Sequence, residues 1–344
     1  MRFWKVTCWL VSLIALVWLN GWGFGSFDTA ASAAHFDPAL AASAYPLVQS
    51  QSATDTIRFA VIGDYGSGTQ DELKVANLVK SWEPDFIITV GDNNYPLGEA
   101  RTIDQNIGQY YHDYIYPYTG TFGAGIVSNP PLSPQGLSPL IFLPLIYGPP
   151  FTATNHFFPA LGNHDWYTSG ATPYLDYFTL PGNERYYDFV RGPVHFFAVD
   201  SDSSEPDGIT SGSTQGVWLQ NRLTASTACW KLVYFHHAPY SSGPHGSNTT
   251  LQWPFQSWGA DAVLSGHDHT YERVVINNFP YFVNGLGGYS RYAFEPTPIP
   301  GSQVRYNANF GAMLVTATPS AIIYQFITVG GIVVDTYSQA GGCP

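Results

Sequence analysis

The sequence predicts an α/β fold that contains both parallel and antiparallel strands. Two apolar segments, 58–64 and 85–92, each end in Gly-Asp and enclose a helical pattern over 70–82. A strand–helix–strand unit of this kind requires the two strands to be parallel. Near the carboxyl end, short apolar segments between residues 312 and 336 are separated by turn residues, a spacing that is typical of antiparallel strands.

The remaining elements are predicted between these two regions. Apolar segments indicate strands at 157–163, 194–200, 232–235 and 262–264, and a polar segment with helical spacing indicates a helix at 215–223. Residues 119–155 contain seven prolines and no charged residue. We expect this Pro/Gly-rich insertion to be a long loop that covers part of a substrate cleft, because loops of such length usually serve binding.

The composition limits the functions that this chain can have. Of its 344 residues, 25 are acidic and 13 are basic, which gives a formal net charge of −12. This balance argues against wrapping nucleic acid, because phosphate backbones are held by Lys and Arg. A hydrophobic content of 45% excludes a disordered chain. Few charges with many Gly, Pro and aromatic residues favour a loop-rich protein outside the cytoplasm.

The amino-terminal residues have the pattern of a secretory signal peptide. Arg2 and Lys5 precede an apolar run over 6–19, and small residues follow at 30–34. We expect a signal segment 1–33, a linker 34–56 and a single folded domain 57–340. The protein is then secreted or periplasmic. The alternative is an uncleaved signal anchor, in which case the protein would contact a membrane.

Two cysteines remain after the signal segment, Cys229 and Cys343. In an oxidising compartment they could form a disulfide that ties the carboxyl end to the domain. They could equally be one buried thiol and one thiol in a frayed tail. The sequence leaves both alternatives open.

Candidate metal ligands follow the predicted strands. They are Asp64, Asp92, Tyr95, Asn163, His164, His236, His237, His267 and His269. Residues that follow the strands of an α/β sheet converge on one crevice. His267 and His269 are two positions apart and would face the same side of an extended chain. Oxygen ligands mixed with imidazole suit Fe, Mn or Zn, and their number suits two metal ions that share one carboxylate.

In this order, the motifs resemble those of the calcineurin-like metallophosphoesterases, and among them the single-domain purple acid phosphatases. The resemblance rests on Asp64-Tyr-Gly66, Gly91-Asp92-x-x-Tyr95, Gly162-Asn163-His164, a His ahead of Ala238-Pro239, and Gly266-His267-x-His269. Most metallophosphoesterases carry His where this chain has Gly66, and Tyr95 takes over as the ligand in the purple acid phosphatase pattern. The resemblance implies a catalytic domain built as a four-layer α/β/β/α sandwich, in which helices flank two mixed sheets and metals bind at the strand ends.

The same resemblance implies two metal sites. One is an Fe(III) site of Asp64, Asp92, Tyr95 and His269. The other holds a divalent metal (Fe, Zn or Mn) through Asp92, Asn163, His237 and His267, with Asp92 bridging the two ions.

Two adjacent histidines compete for one ligand position. The valine-x-x-His spacing from Val233 indicates His236, whereas the His-x-Pro spacing indicates His237. We favour His237, because the rigid turn at Pro239 lies nearer to the ligand than the strand valine does.

The implied function is that of a secreted acid phosphatase acting on small phosphorylated substrates. It would hydrolyse phosphate monoesters by attack of a metal-bound hydroxide, with His164 and His245 binding phosphate or protonating the leaving oxygen. The motifs have no neighbouring cluster of Arg or Lys, which favours broad monoester specificity. Two alternatives are a di-metal phosphodiesterase or nucleotidase on the same fold, and a non-catalytic exported binding protein.

Overall fold

The structure is a computed structural model that describes residues 56–123 and 154–343. The predicted signal segment 1–33, nearly all of the linker 34–56 and most of the loop 119–155 lie outside the described residues. Among the residues that are described, no helix is both long enough and apolar enough to cross a membrane.

Two mixed β-sheets form the centre of the domain. The strands of the first sheet are β1 (Ile57–Ile62), β2 (Phe86–Thr89), β3 (Phe157–Pro159), β11 (Gly311–Ala317), β12 (Ala321–Thr328) and β13 (Val333–Ala340). They lie in the order β13-β12-β11-β1-β2-β3. The pairs β1–β2 and β2–β3 are parallel, and the pairs from β1 through β11 to β13 are antiparallel.

The second sheet has seven strands. They are β4 (Tyr187–Arg191), β5 (Val194–Ala198), β6 (Trp230–His237), β7 (Ala262–Gly266), β8 (Tyr271–Ile276), β9 (Phe279–Asn284) and β10 (Ser302–Tyr306). Their order is β10-β8-β9-β7-β6-β5-β4. The strands β5, β6, β7 and β9 run parallel, and antiparallel partners flank them on both edges.

Helices cover the outer faces of both sheets. They are α1 (Gln70–Ser81), α2 (Ala100–Ile103), α3 (Gln109–Tyr111), α4 (Asn163–Trp166), α5 (Thr172–Tyr177), α6 (Thr214–Ala225) and α7 (Phe255–Trp258), with a π-helical stretch over Asp104–Gly108. The amino end of α1 is capped by Thr69, whose side chain accepts a hydrogen bond from the backbone of Glu72. The helix predicted over 70–82 is therefore confirmed.

The packing of β6 shows how the layers form. Leu232 and Tyr234 belong to the apolar core that joins the two sheets, where Phe59 of β1 meets Phe196 of β5 edge to face with centroids 5.0 Å apart. The alternate residue Val233 faces a second core, which holds apolar residues of α6 and α7. This alternation follows from the two-residue period of a strand, and it gives the predicted α/β/β/α layering.

Four strands were not predicted from the sequence: β4, β8, β9 and β10. Strands β8 and β9 form a hairpin whose turn residues, Asn277 and Asn278, both have positive φ angles. Asn is one of the residues that tolerates this geometry in two-residue hairpin turns. The first strand of the hairpin begins directly after the histidine motif. No turn residues separate the motif from the strand in the sequence, so the start of the strand is not marked.

Cys229 and Cys343 form a disulfide between residues 114 positions apart. The bond ties the last residues of the chain to the start of β6. Of the two alternatives left open by the sequence, the structure has the paired form.

Candidate metal centre

The sequence motifs converge at one edge of the two sheets. Asp64 follows β1, Asp92 follows β2, and Asn163 begins α4 after β3, whereas His236 lies near the end of β6 and His267 follows β7. Parallel strands place their carboxyl ends at the same edge. Asp64, Asp92 and His236 are all buried, and each offers one ligand atom within 4.8 Å of the others.

Asp92 lies at the middle of this cluster. Its Oδ2 accepts a hydrogen bond from the Tyr95 hydroxyl at 2.8 Å and lies 3.3 Å from Nε2 of His236. Its Oδ1 accepts the backbone N–H of His164 at 2.9 Å. A single carboxylate oxygen therefore faces Tyr95 on one side and His236 on the other.

The first side of the cluster contains Tyr95, Asp64 and His269. The Tyr95 hydroxyl lies 3.3 Å from Oδ1 of Asp64 and 3.2 Å from Nε2 of His269. The distance between Nε2 of His269 and Oδ1 of Asp64 is 3.2 Å. Together with Asp92, these residues are the four that the sequence assigned to one metal site.

The second side contains His236, Asn163 and His267. Nε2 of His236 lies 3.0 Å from Oδ1 of Asn163 and 3.1 Å from Nδ1 of His267. Nδ1 of His236 lies 3.0 Å from the carbonyl oxygen of Val90. Because a carbonyl accepts and cannot donate, Nδ1 carries a proton, and Nε2 is the ring nitrogen that faces the cluster.

The geometry favours His236, rather than the expected His237, as the ligand. Nδ1 of His237 pairs with the hydroxyl of Ser201 at 2.9 Å, whereas Nε2 of His236 lies 3.3 Å from Oδ2 of Asp92. The reason is strand alternation: His236 shares its face with Leu232 and Tyr234, which point toward the other sheet. The proline turn, which favoured His237, does not alter this alternation.

Three of the motif residues have an unusual backbone conformation. Asp64, Asp92 and His267 have φ angles of 56°, 53° and 71°, in the left-handed region that non-glycine residues rarely adopt. Each such residue costs about 1–3 kcal/mol, and such strain is found mainly at functional sites. The backbone N–H of His267 donates to Oδ2 of Asp64 at 3.0 Å, which helps to hold both loops.

Gly66 distinguishes this centre from the commoner metallophosphoesterase pattern. A Cβ atom at position 66 would overlap the backbone carbonyl of Asn93. A side chain therefore does not fit at position 66 of this chain, and Tyr95 supplies a side chain to the same region of the cluster.

The electrostatics of the buried groups follow from their contacts. Burial would raise the pKa of Asp92, but the imidazole of His236 and then His164 lower it below its usual range. Burial would lower the pKa of His236, but the Asp92 carboxylate raises it to about 10. Burial and the carboxylates of Asp92 and Asp64 raise the pKa of Tyr95 well above its usual value. A strong local cation would be needed to deprotonate this phenol.

His164 is held beside the cluster by two contacts. Its Nδ1 lies 2.6 Å from the carbonyl oxygen of Pro96, so Nδ1 carries a proton there. Its Nε2 lies 3.9 Å from Oδ2 of Asp92, and the side chain is 24% exposed. The second ring nitrogen of His164 can therefore meet a ligand from solvent.

His245 lies in the exposed loop after β6. Its ring stacks on His267 with centroids 4.1 Å apart, and its backbone N–H donates to Oδ1 of Asp268, within the histidine motif, at 3.0 Å. A cleft of about 260 Å³ lies beside it, lined by His237, Ala238, His245, Gly246, Ser247, Asn248, Thr249 and His267. Both predicted catalytic histidines thus lie next to the cluster.

The sequence did not single out the segment after β9. Tyr289 stacks on Tyr95 with centroids 3.7 Å apart, and Tyr292 stacks on His269 with centroids 4.1 Å apart. The hydroxyl of Ser290 lies 2.5 Å from Nδ1 of His269. A Tyr-Ser-x-Tyr segment after glycines is too general a pattern to have indicated these contacts.

The donor set fits metal ions. Asp64 and Asp92 are 0% and 1% exposed, and within the described ranges neither forms an ion pair with Lys or Arg. Buried carboxylates without a Lys or Arg partner suit the coordination of a cation. The imidazole nitrogens of His236 and His267 face each other, an arrangement that a shared cation would stabilise.

Comparison with known proteins identifies the family to which this chain belongs. Residues 57–271 match the calcineurin-like phosphoesterase family, and the chain belongs to this family. Phosphoester hydrolysis is the activity that this membership supports.

The more specific resemblance is to purple acid phosphatases, as the motifs predict. Purple acid phosphatase 3 from Arabidopsis thaliana is 23% identical over 86% of this chain and 81% of that protein. Tartrate-resistant acid phosphatase type 5 from Oryctolagus cuniculus is 23% identical over 82% of this chain and 90% of that protein.

The fold is shared with a solved structure of a purple acid phosphatase. The PPD1 enzyme from yellow lupin (Lupinus luteus) seeds superposes with a TM-score of 0.60 at 18% identity, covering 83% of this chain and 54% of that chain. The predicted fold, two mixed sheets flanked by helices, is confirmed.

Proposed function

We propose that this protein is an acid phosphatase that hydrolyses phosphate monoesters with two metal ions bound at the Asp92 cluster. The observation that carries the proposal is the position of Asp92, whose Oδ2 lies 2.8 Å from the Tyr95 hydroxyl and 3.3 Å from Nε2 of His236. One carboxylate between two separate ligand groups is the arrangement of a dinuclear centre.

The two ligand groups have different chemistry. Fe(III) would be held by Asp64, Asp92, Tyr95 and His269, because a phenolate with carboxylates suits a hard trivalent ion. A divalent ion (Fe, Zn or Mn) would be held by Asp92, Asn163, His236 and His267. When bound, such ions would neutralise phosphate oxygens and make a water molecule acidic enough to supply the attacking oxygen.

The surrounding residues would orient the phosphate and move protons. His164 is fixed through Nδ1 to Pro96, so its Nε2, when protonated, donates a hydrogen bond to a phosphate oxygen. His245 is exposed beside His267, where it can donate a proton to the leaving oxygen. A general acid of this kind typically contributes about 10²–10⁴-fold to the rate.

The cleft beside the cluster supports broad specificity for small substrates. Its lining residues include no Lys and no Arg, so none of them offers a charged fork for a second phosphate or a carboxylate. We propose that the metal ions, rather than surface cations, attract the phosphate group. The net charge of −12 does not oppose this, because bound ions dominate the local field.

We propose further that the protein works outside the cytoplasm. The disulfide between Cys229 and Cys343 supports an oxidising compartment. The signal-like pattern of residues 1–33 supports export.

A substrate panel with metal analysis tests the proposed function. p-Nitrophenyl phosphate, glycerol phosphate, bis-p-nitrophenyl phosphate and ATP are assayed across pH, before and after chelation. We expect monoesters to have the highest kcat/KM, with activity lost on chelation and restored by metal. Preference for the diester would instead indicate the phosphodiesterase alternative, and bound metal without hydrolysis would indicate a binding protein.

A Tyr95→Phe variant tests the iron assignment separately. Wild-type protein should show a visible tyrosinate-to-iron absorption band, and the variant should lack it. A colourless wild-type protein that hydrolyses monoesters would contradict Fe(III) at this position while leaving the phosphatase activity intact.

A further inference from the structure

The segment 287–292, here called the cover segment, passes over one side of the ligand cluster. The Tyr289 ring lies nearly parallel to Tyr95, with an interplanar angle of 10° and centroids 3.7 Å apart. Three positions later, the Tyr292 ring lies parallel to His269 at 7° and 4.1 Å. Two rings of one short segment thus stack on two proposed ligands.

Backbone hydrogen bonds fix the cover segment to the motifs that it covers. The N–H of Gly287 donates to the carbonyl of Gly63 at 3.0 Å, and the N–H of Tyr289 donates to the carbonyl of Asp64 at 3.2 Å. The N–H of Tyr292 donates to the carbonyl of His269 at 3.0 Å. The rings are therefore placed by the same loops that carry the ligands.

The exposed fractions of the side chains show which groups the cover segment shields from solvent. Tyr95 is 2% exposed and His269 is 3% exposed, whereas Tyr289 is 40% exposed. Tyr289 therefore presents one face to Tyr95 and the other to solvent. The His164 ring lies 4.4 Å from Tyr95 at a tilt of 54° and 6.4 Å from Tyr289, so His164 packs beside the same covered ring.

The opposite side of the cluster is built differently. His267 and His237 line the cleft of about 260 Å³, and the exposed His245 stacks on His267. Polar residues and backbone form the rest of this cleft. A charged phosphate can approach here through polar groups, and the one ring stacked on His267 is an imidazole that can itself donate to phosphate.

We propose that Tyr289 and Tyr292 form an aromatic cover that closes the Tyr95–His269 side of the centre to water and substrate, so that phosphate enters from the His245–His267 side. The assignment of a metal to that side rests on the proposed function. The stacking of Tyr289 on Tyr95 does not depend on that function.

The physical role of the cover is to position ligands. The stacked face of Tyr289 holds the Tyr95 ring in one orientation. Groups that orient metal ligands typically alter metal affinity by about 10–100-fold when they are removed. Tyr289 and Tyr292 would act through Tyr95 and His269, and neither needs to touch substrate.

Hydroxyl-radical footprinting with peptide mass spectrometry tests the cover directly. In a Tyr289→Ala variant, we expect the oxidation rate of Tyr95 to rise severalfold, because the ring that stacks on it is removed. Tyr289→Phe keeps the ring and should match the wild type. Phe122→Ala is a matched control, because Phe122 is also 40% exposed and, among the described residues, has none of the ring contacts of the cluster. An unchanged rate at Tyr95 in Tyr289→Ala would overturn the cover.

The rate of metal loss to excess EDTA tests whether the cover protects the proposed metal centre. We expect loss from Tyr289→Ala to be about tenfold faster or more than from the wild type, with Tyr289→Phe again unchanged. Equal loss rates would overturn the proposal that the cover protects the metal position. Wild-type protein that binds no metal would overturn the proposed function, and footprinting would still decide whether Tyr289 covers Tyr95.

A second variant guards against a folding defect. Tyr289→Leu keeps apolar bulk at the position, and its thermal unfolding can be compared with that of Tyr289→Phe. A variant that unfolds like the wild type and yet exposes Tyr95 supports a positioning role for the aromatic ring. A folded Tyr289→Leu that protects Tyr95 fully would show that bulk alone suffices, and would overturn the role of stacking.

Discussion

The two sides of the proposed metal centre differ in how they meet solvent. Tyr95 and His269 are buried beneath the stacked rings of Tyr289 and Tyr292. His267, on the other side, lines an open polar cleft next to the exposed His245. We infer that the two sides have different roles: the covered side would hold an ion tightly, and the open side would receive the substrate.

Both sides depend on the same carboxylate. Asp92 Oδ2 faces Tyr95 at 2.8 Å and His236 at 3.3 Å, so a change at Asp92 should affect the covered and the open side together. Changes at other residues should affect one side more than the other. The following variants use that difference.

We expect the largest effect from Asp92→Asn. The loss of the shared charge should remove both ions, and kcat/KM for p-nitrophenyl phosphate should fall by more than about 100-fold, beyond the range typical of outer-shell changes. Metal content by mass spectrometry should fall with it. Asp188→Asn is the control, since Asp188 is a mostly buried carboxyl that pairs with His195 and Arg222 away from the cluster. Full metal content in Asp92→Asn would refute the shared carboxylate.

The next largest effect should distinguish the two adjacent histidines. His236→Ala removes a nitrogen that lies 3.0 Å from Asn163 and 3.1 Å from His267, so it should lower metal content and activity by more than about 10-fold. His237→Ala should retain both ions. If His237→Ala lost metal and His236→Ala did not, strand alternation would be the wrong guide and the proline spacing the right one.

His245→Ala should affect the open side without affecting metal binding. Loss of a general acid should lower kcat by about 10²-fold or more. The loss should be greater for glycerol phosphate than for p-nitrophenyl phosphate, because an alkoxide needs a proton more than p-nitrophenolate does. Metal content and the visible band should match the wild type. An equal loss for both substrates would argue against proton donation by His245.

The smallest effect on activity should come from Cys343→Ser. The disulfide closes a loop of 114 residues, and in the chain-entropy view such a bond contributes up to about 4–5 kcal/mol to the free energy of unfolding. The midpoint of thermal unfolding should therefore fall, while kcat/KM below that temperature stays unchanged. Loss of activity in the folded variant would show that the bond supports the centre as well as the fold.

The sequence predicted the parts of the fold and site that are encoded locally. The strand–helix–strand unit, the antiparallel end and most ligands are visible as short patterns, because glycine directly precedes Asp64, Asp92, Asn163 and His267. The position of Gly66 beside the Asn93 carbonyl gives a physical reason for the absence of a histidine there. The roles of the ligand residues in binding metal stay predictions.

The omissions, and the ligand choice that the geometry alters, lie where segments that are distant in sequence meet. The choice between His236 and His237 depends on which face of β6 meets the other sheet, and the proline two residues later does not report this. Tyr289 is far from Tyr95 along the chain, and their stacking needs both sheets in place. The hairpin of β8 and β9 was missed for a local reason, since it continues directly from the histidine motif.

The most direct test of two ions sharing Asp92 is an anomalous diffraction map of the purified, metal-loaded protein. We expect two peaks about 3.5–4 Å apart, one beside Asp64, Tyr95 and His269, and the other beside Asn163, His236 and His267, with Asp92 between them. A single peak, or a second ion bound by His237 in place of His236, would contradict the proposed centre.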